Sequence, residues 1–160
     1  MAKFLMVETI HSDKVVTARV GTTVTPLKNV DSGKAVKLIA TSNYGLCAAG
    51  DAIEAVLSTS NYNSQGTVDG FAIGGVIPKT FKAVTFDGLQ ATPGTGTIAV
   101  GDYVVTGTVV AAGTALTGPL KVTKATDQAA AKAAPFKARV VSLGDVGTGA
   151  AGTTGLVELL

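Results

Sequence analysis

Several stretches of the chain carry residue types that do chemistry, and spacing decides each. His11-Ser12-Asp13 holds the three residue types of a hydrolytic triad. In an extended segment Ser12 points away from both neighbours, so His11 cannot take its proton, and a turn is the better reading. Gly147-Thr148-Gly149-Ala150-Ala151-Gly152 spells the dinucleotide fingerprint. That fingerprint works only with a helix and a second strand behind it, and the few residues that follow form a Val/Leu strand pattern. Asn61–Gly66 has the rhythm of a calcium loop, but Ala72 stands where a bidentate Glu belongs. Asp51 and Glu54 are the closest carboxylate pair placed for acid–base work. On a strand, a spacing of three puts them on opposite faces, unable to flank one bond. Gly33-Lys34 lacks the leading Gly and the trailing Ser/Thr of a phosphate loop.

Composition removes further classes. Cys47 is the single cysteine and His11 the single histidine, so neither a disulfide framework nor a zinc site of nitrogen and sulfur ligands can be assembled. Thirteen Lys+Arg against eleven Asp+Glu is no basic footprint, and the few aromatics do not interleave with cations, so direct nucleic-acid binding is not expected. No apolar run is long enough to span a bilayer as a helix, and no membrane partner is expected. The trimeric dUTP pyrophosphatases share the size and β content. Their glycine-rich arm needs an Arg and a Phe that 146–155 lacks, and that class is set aside. No cofactor, metal or catalytic residue is assigned, and the chain reads as a non-enzyme.

The elements follow from the apolar residues used. The chain has 160 residues, with 21 Val and 22 Thr punctuated by 20 Gly, and only 15% of it is charged. β-Branched side chains suit a pleated surface, so an all-β fold is expected: a compact β-barrel or β-sandwich of short antiparallel strands. Strands are expected at 15–20, 22–25 (ending at Pro26), 35–41, 51–60, 67–77, 81–86, 97–108, 120–125, 136–143 and 156–160. One short helix is expected over 127–134, capped by Thr126 and ended by Pro135. No repeat at a fixed period is visible. Residues 1–50 hold six basic and three acidic residues, and 51–100 hold two and four. Residues 1–30 read as an extended N-terminal arm with the first strands, and 31–160 as the β-rich domain. Lys3 followed by Phe4-Leu5-Met6-Val7 suits either an arm that meets a shell or neighbouring subunit, or a core strand. So weakly charged a surface hints at contacts with other copies.

Three runs carry a resemblance: Gly33–Leu38, Leu46–Val56 and Gly66–Val76. The C-terminal half adds Val100-Gly101-Asp102-Tyr103-Val104-Val105, Gly113–Leu116 and the closing pair Phe136–Val141 and Gly155–Leu160. Together these resemble the head decoration (capsid cement) proteins of tailed phages, over roughly residues 30–160. The resemblance implies a structural protein without enzymatic activity, made in the host cytoplasm and bound to the outside of the expanded head. There it would brace the shell against internal DNA pressure. It also implies the major capsid protein and further copies of itself as partners, a homotrimer ahead of a homodimer. A β-sandwich module of a phage fibre, binding carbohydrate or a receptor, is the alternative. It is less favoured because the chain has no Trp and only Tyr44, Tyr62 and Tyr103 for stacking on sugars.

Overall fold

A computed structural model describes residues 15–28, 31–60, 71–78, 81–86, 94–107, 120–144, 147–150 and 152–160. The strands are β1 (Val16–Val20), β2 (Ala35–Ala40), β3 (Asn43–Leu46), β4 (Ala55–Ser60) and β5 (Ala72–Ile77). They continue with β6 (Phe81–Phe86), β7 (Tyr103–Thr106), β8 (Leu120–Lys124), β9 (Ala138–Ser142) and β10 (Thr154–Leu159). One helix, α1 (Gln128–Ala133), lies between β8 and β9. The all-β expectation holds, and its barrel occurs twice. One closed ring runs β1-β3-β2-β4-β5 and the other β6-β8-β7-β9-β10.

The two rings have the same topology. Each has one parallel neighbour pair, β1 with β3 and β6 with β8, in otherwise antiparallel pairing. Their registers match residue for residue. Ala35↔Val56 and Val36↔Ala55 in the first barrel correspond to Tyr103↔Arg139 and Val104↔Ala138 in the second. Val20↔Tyr44 corresponds to Phe86↔Val122. The irregularity between β4 and β5, after Leu57↔Val76, recurs between β9 and β10, after Val140↔Val157. The register shift thus falls at the same place in both barrels and belongs to the topology they share.

Small lumens explain the residues inside. A five-stranded ring has room only for modest side chains. The first barrel is filled by Ala18, Val20, Leu27, Val36, Ala55, Leu57, Ala72 and Val76, with Tyr44 packed against them. The second uses Val84, Phe86, Ile98, Val104, Val122, Ala138, Val140, Val157 and Leu159. Val20 faces Tyr44 where Phe86 faces Val122, so one aromatic and one valine exchange strands and the filled volume is kept. Gly155 on β10 is required by this packing: a Cβ there would lie 2.5 Å from the Ser142 carbonyl oxygen and against the Phe86 ring.

Three expectations are corrected. Residues 22–25 form a turn, closed by Thr22 N–H donating to the Thr25 carbonyl at 3.0 Å, because Pro26 forbids a continued strand. β3 occupies 43–46, a stretch too short and glycine-broken to show alternation. Asp127, not Thr126, caps α1, its carboxylate accepting from Ala130 N–H at 3.0 Å. The doubling of the ring has no fixed period, as expected: the offset between equivalent residues drifts from 66 (Val20 to Phe86) to 83 (Ala55 to Ala138). β1, the described strand within residues 1–30, pairs with β3 and β5 in the first ring.

Candidate functional site

The densest gathering of reactive side chains lies where the barrels join. After β3, Cys47 N–H donates to the Ala35 carbonyl, and the chain turns through Gly50, whose φ of 86° favours glycine. Gly50 N–H then donates to the Thr106 carbonyl at 2.8 Å, and Thr106 N–H returns a bond to the Asp51 carbonyl at 3.0 Å. The Thr106 hydroxyl adds a third bond to that carbonyl, also at 3.0 Å. This loop of the first barrel is therefore stitched backbone-to-backbone onto β7 of the second. Ala35, Cys47, Ile53 and Val56 pack behind it into the core of the second barrel.

Around that seam stand Lys37, Cys47, Asp51, Glu54 and Thr106, tied to the framework by hydrogen bonds and an ion pair. The Asp51 carboxylate accepts from Ala48 N–H and pairs with Lys37 Nζ, each at 2.6 Å. That bond, foremost, raises the Lys37 pKa above its usual value, so the amine stays charged and is no base. The Glu54 carboxylate accepts from Leu38 N–H. Cys47 is 7% exposed. Its thiol is pushed up to about 11, mainly by burial; the Thr106 hydroxyl pulls the other way. At neutral pH it is a protonated, shielded thiol, neither nucleophile nor ligand. Asp51 and Glu54, expected on opposite faces of a strand, precede β4 instead, and both reach back to β2.

Elsewhere the same pattern holds. Asp31 accepts from Lys28 N–H and pairs with Lys34. Asp102 accepts from Ala99 N–H and pairs with Lys124, and Glu158 pairs with Arg139. Every carboxylate among the described residues thus holds a backbone amide or a cation of the framework. Among those residues no three His, Cys, Asp or Glu side chains converge as metal ligands. Two buried oxygens, Asn43 Oδ1 and Thr123 Oγ1, have no partner, but they belong to different barrels. The glycine-rich stretch at 147–152 runs into β10 rather than a helix, and Gly149 lies against the Ile98 carbonyl, where a Cβ could not fit. No helix among the described residues is long and apolar enough to cross a membrane.

What the sequence did not flag is Gln128. Its side-chain carbonyl accepts from Tyr103 N–H at 2.8 Å while its amide donates to the Tyr103 carbonyl at 2.9 Å and the Ala125 carbonyl at 3.2 Å. One side chain thereby imitates a neighbouring strand along β7. The expected contact residues Lys3, Phe4, Leu5, Met6 and Val7 lie outside the described residues, as do His11-Ser12-Asp13 and Asn61–Gly66. No family model, curated protein or solved structure matches this chain.

Proposed function

We propose that the chain is a capsid decoration protein of a tailed phage, binding the outer surface of the expanded head and bracing it against the pressure of packaged DNA. One observation supports this reading above the others: every described Asp and Glu side chain accepts from a backbone amide or pairs with a cation of the two closed barrels, ties that stiffen the framework. A brace needs that stiffness, and a catalyst needs titratable groups free to act. Closed rings bond every strand to two neighbours, and the apolar seam between the barrels lets them move as one body. The sparse charge suits broad contact with a lattice. Modest affinity per copy suffices there, because neighbouring attachment points raise the effective concentration. The partners in this reading are the major capsid protein and other copies of the chain, and the location is the virion surface.

The test is to mix the purified protein with expanded, empty phage heads. Stoichiometric binding visible by electron microscopy, together with heads that survive to a higher temperature, is expected. Heads that neither bind the protein nor gain heat resistance would remove the reading, and a melting shift on glycan titration would move it to the fibre-module alternative.

A further inference from the structure

The matched registers make one edge conspicuous. Thr106 on β7 and Leu38 on β2 are equivalent, since Thr106↔Val122 corresponds to Leu38↔Tyr44. In the second barrel this edge is occupied: Thr106 N–H and carbonyl both bond to the Gly50–Asp51 backbone. In the first barrel, strand pairing of β2 with β4 covers only Ala35 and Val36. The Leu38 amide is held instead by the Glu54 carboxylate, and among the described residues no strand pairs with Leu38–Ala40 on that side. Leu38 is 46% exposed, Ile39 is 43% exposed, and Ala40 is exposed as well. Ile39 lies over Gly45, on the sheet face opposite Leu38, so both faces of the open edge are apolar.

We propose that this edge receives the Phe4–Val7 segment of a second copy as an added strand. The inference deepens the decoration reading and rests on it, because it supplies the contact between copies. A strand apolar on both faces suits a partner strand apolar on both faces, and Phe4-Leu5-Met6-Val7 is such a run. Its charge fits too. A carbonyl of the incoming strand takes over the Leu38 amide, and the released Glu54 carboxylate meets Lys3 at the head of the segment. Topology favours another copy as donor. Whichever way round the ring, two strands separate β1 from the open side of β2, so a chain's own segment would have to cross the barrel end and reverse. A carboxylate across a lone edge also guards it against indiscriminate pairing until the right strand arrives.

The full-length protein tests this by sedimentation across a concentration series. Leu38→Asp (edge) and Leu5→Asp (segment) are each expected to weaken self-association by roughly tenfold or more, with unchanged circular dichroism and melting. Mixed together, the two variants are expected to form a heterodimer, an intact segment from one meeting an intact edge on the other. A monomeric wild type overturns the inference. So does association that survives Leu5→Asp, which means that edges pair with edges or that another surface joins the copies, or a mixture that stays monomeric. Binding to heads is scored separately. Association lost while heads are still bound sinks this contact alone, and the converse sinks the decoration reading alone.

Discussion

Three equivalent positions separate the two barrels. In the first, Ala35, Val56 and Ile77 form a cross-strand row on the outer face, and all three are buried. In the second, the same row reads Tyr103, Arg139 and Glu158, partly exposed, with Arg139 Nη2 donating to Glu158 Oε2 at 2.9 Å. One fold thus carries an interface on one copy and a wetted surface on the other. Three interior positions keep their residue types, Val36 and Val104, Ala55 and Ala138, Val76 and Val157, while the outer row changes from apolar to charged. A lumen this narrow tolerates few side chains, whereas an outer face answers only to what covers it.

The largest effect is expected at Gly155. Gly155→Ala drives a methyl into the Phe86 ring and the Ser142 carbonyl, and is expected to cost about 3 kcal/mol or more in urea unfolding. Next come Val76→Ala and Val157→Ala, the same deletion at equivalent, fully buried places. Each is expected to cost about 2 kcal/mol, in a single transition shared by both halves. Two separate calorimetric transitions would show that the seam at Gly50 and Thr106 does not couple the barrels. Gln128→Ala unpairs Tyr103 and should cost about 1–3 kcal/mol, a device with no counterpart in the first barrel, where Ala35 is covered by packing. Cys47 sharpens the seam itself. Its folded pKa lies above the unfolded one, so the folded state holds the proton more tightly. Its contribution is full below about pH 8.5, and is lost as pH rises through about 11. Cys47→Ala should flatten that alkaline decline in melting temperature. The smallest effect is expected from Lys37→Ala, about 0.5 kcal/mol by thermal melting, since the Asp51 pair is partly exposed and screened.

Much of the fold was legible in the residues. Val/Thr runs broken by glycines and prolines marked the strands, with 81–86 matched at both ends, because β-branched alternation and turn chemistry act locally. The doubling was not legible, since pairing in a ring is a long-range property and connections of unequal length erase any fixed period. Its traces are present nonetheless. Gly33-x-x-Val36 and Gly101-x-x-Val104 begin equivalent strands, each glycine at positive φ, and Gly74-x-Val76 matches Gly155-x-Val157. The seam was half visible. Asp51, Glu54 and Cys47 stood out by type, but which amide each carboxylate would hold depended on β3, a strand of four residues with a glycine inside.

The Arg139–Glu158 pair gives the outer row of the second barrel a charged character. A unit whose outer row is oily invites another unit, and a chain of such units has no natural length. Ionising that row in the second barrel suits it to water rather than to a further unit. Exchanging Arg139→Val together with Glu158→Ile would restore the oily row on the second barrel, and light scattering should then register larger assemblies, bead after bead, than the unsubstituted protein gives at the same concentration.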